Sequence, residues 1–194
     1  MSLKLNYHVS LMLLLLSIGV RAQKEDTIFI ENNKFQKIYI EKNKNSNHYK
    51  SISDFTDFKN LGKSNSKWIQ IHAYKGEYFL YYPCDQVNDL KYVIDRDQIQ
   101  IKYSEIVAYR IISLKKRRQN TYIKYQEPNS GNKILLKLIP VNKESGIYKF
   151  ITFIGNQQYE KIMLESSKYK NYNLIVNECA ENKSSELDFG QYKK

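Results

Sequence analysis

Aromatic side chains with polar tips are concentrated in residues 67–83, which also hold the only tryptophan of the chain. Residues at two-residue steps share one face of a β-strand, and here such a face combines aromatic bulk with hydrogen-bonding groups. Ligand-binding walls have this composition, an apolar lining with a few polar contacts. We therefore expect residues of this stretch to border a cavity, and the candidate ligand-binding residues are Trp68, His72, Tyr74, Tyr78 and Tyr82.

A dense basic run, Lys115, Lys116, Arg117 and Arg118, lies at a predicted turn between two strands. The formal net charge is +11, and it is +9 without the first 22 residues, which carry Lys4 and Arg21 (11 − 2). A basic surface favours anionic glycans or lipid head groups. The alternative, which we favour, is a solvated hairpin tip. The run contains no aromatic residue, which an RNA-binding surface would need. The N-terminal residues described below also predict export, which would separate the chain from most nucleic acid. We therefore expect no nucleic-acid partner.

Sequence motifs for catalysis or metal binding are missing. The histidines His8, His48 and His72 are far apart, and no HExxH pattern or Cys/His pair with ligand spacing occurs. The chain also lacks GxSxG, P-loop and GxGxxG motifs. We therefore expect a protein that is not an enzyme and that uses no metal and no cofactor.

Residues 1–22 have the three parts of a secretory signal: the basic Lys4, an apolar run over residues 9–20, and a Val-Arg-Ala end. The apolar run is shorter than the roughly 20 residues that a transmembrane helix needs. We expect cleavage after Ala22 and a secreted or periplasmic protein that is not transmembrane; an uncleaved anchor is the alternative. No cysteine follows the run, so no lipoprotein acylation site is present.

The two cysteines, Cys84 and Cys179, allow one intramolecular pairing, and export would place them in an oxidising compartment. Cys84 follows the second hairpin strand and Cys179 follows the last predicted strand. If the last strand closes the sheet beside residues 68–74, both cysteines lie at one rim with a single strand between them, about 10 Å across. We expect a disulfide, with two separate thiols as the alternative.

Residues 66–82 are typical of a β-hairpin whose turn is Lys75-Gly76, because period-two alternation flanks a glycine. Both faces of this hairpin are apolar, and closing the sheet on itself would cover them. The sequence thus predicts an all-β antiparallel meander of 8–10 strands that closes into a barrel, with a sandwich as the alternative. The later strand runs are residues 92–95, 98–103, 105–114, 121–126, 133–141, 147–154, 159–165 and 172–177.

The predicted organisation has four parts. The signal peptide is followed by an N-terminal extension (23–50) with strand-like runs at 27–31 and 35–41. The barrel domain (51–179) begins with one short helix over residues 51–61, in which Ser51 and Asp54 fit a capping box and Gly62 ends the helix. Residues 180–194 are polar and predict a flexible tail.

A signal peptide, a short helix, a tryptophan in the first barrel strand and a meander of short strands together resemble the lipocalin-like (calycin) barrels. In particular, residues 54–179 resemble small exported lipocalin-like proteins of Gram-negative bacteria. The family has one residue between a glycine and this tryptophan (Gly-x-Trp), whereas here five residues separate Gly62 from Trp68. The resemblance implies that Trp68 lies at the barrel floor and that the barrel binds a small apolar ligand.

Two functions remain open from the sequence. The first is an exported, non-enzymatic binding protein that holds a small hydrophobic or amphipathic molecule in the barrel. The alternative is a β-rich surface module that binds a protein or an anionic glycan and has no ligand in its lumen. An open apolar lumen distinguishes the first, and an exposed Tyr/Trp patch distinguishes the second.

Overall fold

The structure, a computed structural model, describes residues 28–32, 36–62, 65–84, 89–179 and 186–189. The predicted signal peptide and its cleavage site lie outside the described residues. Twelve strands and two short helical elements are present in the described part of the chain. They are β1 Ile28–Asn32, β2 Gln36–Glu41, α1 Asn47–Ile52, β3 Ser66–Tyr74, β4 Glu77–Tyr82, β5 Lys91–Ile94, β6 Gln98–Lys102, β7 Ile106–Arg117, β8 Asn120–Gln126, β9 Lys133–Asn142, β10 Ile147–Ile154, β11 Gln157–Glu165, a 3-10 helix Ser166–Asn171 and β12 Leu174–Cys179.

Eight strands, β3 and β5 to β11, form a closed antiparallel barrel. Each strand from β5 to β10 pairs with the next one along the chain, and β3 closes the ring by pairing with both β5 and β11. Trp68 marks this closure, since it pairs with Tyr92 on one side and with Glu165 on the other. The predicted all-β meander and its closure into a barrel are therefore confirmed.

Strand β3 leaves the barrel after Gln70. From Ile71 to Tyr74 it pairs with β4 in a second sheet, the side sheet, whose strand order is β1-β2-β12-β4-β3. The expectation that the last strand runs beside β3 is thus wrong in part: β11 does so, whereas β12 pairs in parallel with β4. The N-terminal strands β1 and β2 join the side sheet through β12.

The β3–β4 hairpin turns at Lys75-Gly76, as the sequence predicts. Both residues have positive φ, 50° for Lys75 and 85° for Gly76. Two successive positive φ values are the requirement of a type I′ turn, whose twist matches that of the flanking strands. The turn residues therefore set the register of this hairpin.

Buried apolar residues form three clusters. Strand β3 contributes residues to all three, because its successive side chains point to opposite faces. The barrel core contains Trp68, together with inward-facing residues of the other barrel strands. The intermediate core, with Ile69 and Ile71, fills the space between the outer barrel wall, α1 and one face of the side sheet. The outer cluster, with Tyr74, lies on the opposite face of the side sheet.

Helix α1 covers Asn47–Ile52, and not residues 51–61 as predicted. The N-cap is Ser46, whose Oγ accepts the backbone N–H of Tyr49 at 3.2 Å. The predicted capping box is not formed, because Ser51 lies inside the helix and the Asp54 carboxylate accepts the N–H of Thr56 at 2.9 Å. This bond creates a local turn after the helix, and such turns compete with helix continuation.

The cysteines form the predicted disulfide, with Cα atoms of Cys84 and Cys179 5.5 Å apart. The route differs from the expectation, because no strand separates the two. Cys84 follows β4 and Cys179 ends β12, and these strands are parallel neighbours. Their carboxyl ends therefore lie side by side at one edge of the side sheet.

Candidate ligand-binding site

A cavity of about 400 Å³ lies at one end of the barrel. Its wall is built by the first residues of β3, the end of β5, the β7–β8 hairpin, and parts of β9, β10 and β11. Ligand pockets in proteins range from about 300 to 1,000 Å³. The cavity thus has the size of a small-molecule site.

The floor of the cavity is apolar and rigid. Trp68, Ile94, Ile123 and Leu138 line the cavity and also belong to the buried barrel core. The Trp68 ring packs edge-on against Tyr148, with centroids 4.9 Å apart, and its Nε1–H donates to Ser66 Oγ at 3.0 Å. With its polar hydrogen satisfied, Trp68 presents an apolar surface to a ligand.

A β-bulge in β7 decides which basic residue faces the cavity. Before the bulge, Ile111 packs against the barrel core; the register shifts between Ile111 and Ser113. After the shift, Leu114 and Lys116 line the cavity. Without this extra residue, alternation would turn Lys116 outward, because neighbouring residues of a strand point to opposite faces.

The cavity rim carries charges of both signs. The cationic side chains are Lys116 and Arg96, and the acidic ones are Asp95 and Glu165. The Asp95 carboxylate is already bound by two backbone N–H groups, from Gly62 at 2.5 Å and from Arg96 at 2.6 Å. These two backbone donors fix the position of the Asp95 carboxylate.

Tyr148 supplies a neutral hydroxyl to the cavity wall. Burial raises the pKa of its phenol, and the negative charge of Glu165 raises this pKa further. Deprotonation therefore lies above the usual range for tyrosine. At neutral pH the Tyr148 hydroxyl can act as a hydrogen-bond donor.

The five predicted ligand-binding residues do not share one site. Trp68 lies in the cavity, whereas His72 contacts Tyr81 and Tyr74 belongs to the outer cluster. Tyr78 and Tyr82 pack against the intermediate core. The reason is the exit of β3 from the barrel: the face that carries Trp68 inside the barrel carries His72 and Tyr74 on the outside of the side sheet.

The cavity residues that the sequence did not single out are Leu114, Lys116, Ile123, Leu138 and Tyr148. Lys116 was predicted as part of the basic run at a solvated tip. Lys115, Lys116, Arg117 and Arg118 are all exposed at the end of the β7–β8 hairpin, and Lys116 in addition lines the cavity. Strand alternation could have placed Ile123 inside the barrel, but the bulge that turns Lys116 inward leaves no signal in the sequence.

A second, smaller cavity of about 150 Å³ lies beside α1 and includes Tyr82, Asp89, Lys91 and Lys102 in its lining. Lys91 Nζ donates to the Asp89 carboxylate at 2.9 Å and to the carbonyls of Ser51 and Asp54, each at 3.1 Å. These three bonds use all the hydrogens of the ammonium group. Lys91 therefore has a structural role at the end of α1.

Comparison with known proteins gave no relative: no family model matches the chain, and no match was found among curated proteins or solved structures. Within the described ranges, no helix has both the length and the apolar character needed to cross a membrane. Over the same part of the chain, no group of three or more His, Cys, Asp and Glu side chains could hold a metal ion.

Proposed function

We propose that the protein is an exported, non-enzymatic binding protein that holds a small amphipathic molecule with an anionic head group at the open end of its barrel. The observation that carries the proposal is the cavity, with an apolar floor around Trp68 and the ammonium group of Lys116 in its wall. A closed eight-strand antiparallel barrel is consistent with a lipocalin-like protein. The likeness to that class supports the proposal at the level of architecture.

The anionic head group is inferred from the state of Lys116. Among the described residues, Lys116 forms no salt bridge and no hydrogen bond through its ammonium group. Asp95, by contrast, is occupied by backbone donors. The cation in the wall can therefore pair with a ligand carboxylate or sulfonate, and the exposed Lys115, Arg117 and Arg118 attract the same sign of charge.

Export rests on residues 1–22 and agrees with the disulfide, since disulfides persist in oxidising compartments. We expect the mature chain to begin at Gln23. Intact-mass measurement of protein recovered from an exporting host would test this, and a product that retains Met1 would contradict it.

Ligand binding can be tested with dodecanoate, using dodecyltrimethylammonium as the control of opposite charge. Because Trp68 is the only tryptophan and forms the cavity floor, its fluorescence should change as dodecanoate binds. Lys116→Gln should weaken dodecanoate binding about tenfold, which corresponds to roughly 1.4 kcal/mol. Lys115→Gln is the matched control, since this neighbouring cation does not line the cavity, and its effect should stay below about twofold.

A variant that fills the cavity provides a second test. Thr121 lies on the cavity wall in β8, opposite Lys116, and a strand position accepts an aromatic side chain. Thr121→Phe should abolish the change in Trp68 fluorescence on addition of dodecanoate. The melting temperature of this variant should equal that of the unmodified protein. If dodecanoate changes neither the Trp68 emission nor the melting temperature of the unmodified protein, the proposal is wrong.

The second candidate function, a surface that binds anionic glycan, is favoured by the exposed tip residues Lys115, Arg117 and Arg118. It predicts retention on heparin at moderate salt concentration. The triple variant in which these residues are changed to Gln should then elute early, whereas Lys115→Gln and Lys116→Gln should have equally small effects, unlike their different effects on dodecanoate binding.

A further inference from the structure

Residues 186–189, which belong to the segment 180–194 predicted as a flexible tail, lie across the outer face of the side sheet. Leu187 and Phe189 pack against the outer cluster. The Phe189 ring stacks on His72, with centroids 4.2 Å apart and planes at 28°, and it meets the Tyr81 ring edge-on at 4.9 Å. We call the surface formed by His72 and Tyr81 the aromatic slot.

The Glu186 carboxylate enters a polar pocket beside the slot. Asn177 Nδ2 donates to it at 3.0 Å, the Cys84 N–H donates at 3.3 Å, and the Tyr81 hydroxyl donates as well. We call these three donors the carboxylate niche. Hydrogen bonds to an ionised acceptor are roughly twice as strong as those between neutral groups.

The carboxylate niche is held in place by the side sheet and does not depend on the segment that fills it. Asn177 is 1% exposed, and its Oδ1 accepts a hydrogen bond from the buried Gln36 Nε2 at 2.8 Å. The disulfide fixes the position of Cys84, which supplies the backbone donor. A buried amide whose orientation is fixed in this way is preorganised for a carboxylate.

The surroundings of the aromatic slot favour an acidic partner. Lys161 is close enough to His72 for its positive charge to lower the pKa of the imidazole. The chain as a whole has a net charge of +11. Complementary charge directs a partner to a site and helps to select against partners of the wrong sign.

We propose that the aromatic slot and the carboxylate niche form a binding site for short peptide segments that carry Glu and, three residues later, Phe. Residues 186–189 of the chain itself occupy this site in the isolated protein. They act as a built-in competitor, because a tethered segment has an effective concentration in the millimolar range. An external peptide binds when the chain's own segment is displaced or weakened.

The test uses the full chain with its own segment weakened. In Glu186→Ala/Phe189→Ala the site is open, and a fluorescein-labelled peptide of the sequence SSELDFGQ (residues 184–191) should bind, as measured by fluorescence anisotropy. The same peptide should bind the unmodified chain at least tenfold more weakly, since the tethered segment competes. Two control peptides, SSALDFGQ and SSELDAGQ, should each lose at least tenfold in affinity for the double variant.

The imidazole of His72 provides an independent measurement by NMR. Burial lowers its pKa to about 4 in the closed protein. Phe189→Ala should move this pKa toward the ordinary value of about 6.5, and the SSELDFGQ peptide should lower it again. If a folded Glu186→Ala/Phe189→Ala chain does not bind SSELDFGQ, or binds the control peptides equally well, the proposal is wrong.

Discussion

Lys91 is buried to 1% exposure, and its ammonium nitrogen lies 2.9 Å from the carboxylate of Asp89. Burial lowers the pKa of the lysine, while the negative charge of Asp89 acts in the opposite direction. The same ammonium group binds the carbonyls of Ser51 and Asp54, the last acceptors of the α1 region. One side chain of strand β5 thus joins the barrel wall to the helix that covers it.

Lys91→Met should destabilise the protein by about 2–3 kcal/mol, because the change removes the donor of two carbonyls and of the Asp89 carboxylate, which is 16% exposed and keeps Lys102 at 3.9 Å. Urea unfolding measures this loss. Lys102→Met is the matched control: Lys102 is 3.9 Å from the same carboxylate but is 20% exposed, so its loss should cost about 1 kcal/mol or less. Equal losses in the two variants would contradict the structural role of Lys91.

Replacing both cysteines, as Cys84→Ser/Cys179→Ser, should lower the free energy of unfolding by about 4–5 kcal/mol in the chain-entropy model. The large value follows from the sequence separation of 95 residues that the disulfide spans. The measurement is urea unfolding of the variant beside the oxidised unmodified protein. Titration of two free thiols in the native, non-reduced protein would show that the bridge does not form.

His72 should make the protein less stable in mild acid. Its pKa in the folded protein is about 4, below the unfolded value of about 6.5, because burial disfavours the imidazolium ion. Between these values the unfolded chain binds more protons. Stability is therefore fully present above about pH 6.5 and decreases as the pH falls toward 4.

Between these pH values the free energy of unfolding should fall by about 2 kcal/mol. This is less than the full pKa shift of His72 would give, because its ring is only partly buried. His72→Phe keeps an aromatic ring against Phe189 and removes the titrating group. Urea unfolding at pH 7.5 and pH 4.5 should show a smaller difference for this variant than for the unmodified protein. If the difference between the two pH values is the same in the variant and in the unmodified protein, groups other than His72 cause the acid sensitivity.

Gly62 and Asp95 should be energetically coupled. A Cβ atom at Gly62 would lie closer than 3.0 Å to the carboxylate carbon and both carboxylate oxygens of Asp95. Gly62→Ala should therefore cost about 1–3 kcal/mol, the usual range for forced overpacking. In an Asp95→Ala background the same change should cost much less, and a double-mutant cycle by urea unfolding measures the difference. Strictly additive effects would contradict the contact.

Strand alternation and turn residues predicted most of the barrel. The runs at residues 98–103 and 147–154 match β6 and β10 to within one residue, and the disulfide was predicted from export and from the count of two cysteines. Such local signals depend on side-chain period and turn chemistry, which neighbouring residues determine.

The candidate site was predicted less well, because long-range pairing decides it. Both halves of β3 have the same alternation of apolar and polar residues. The sequence therefore does not show that the strand leaves the barrel after Gln70 and joins the side sheet. Burial of Lys91 was also missed, since lysine is rarely buried unless it is paired. Its acceptors, Ser51 and Asp54, are about 40 residues earlier in the chain.

The double role of β3 has a consequence for folding kinetics. The barrel closes only when Trp68 meets Glu165, near the end of the described chain, and the side sheet is complete only when β12 has paired with β4. Neither closure can precede synthesis of the last strands, and contacts so distant in sequence make folding slow. A chain delivered through a secretion channel from its N-terminus would remain unfolded during passage and would acquire its native topology only after release.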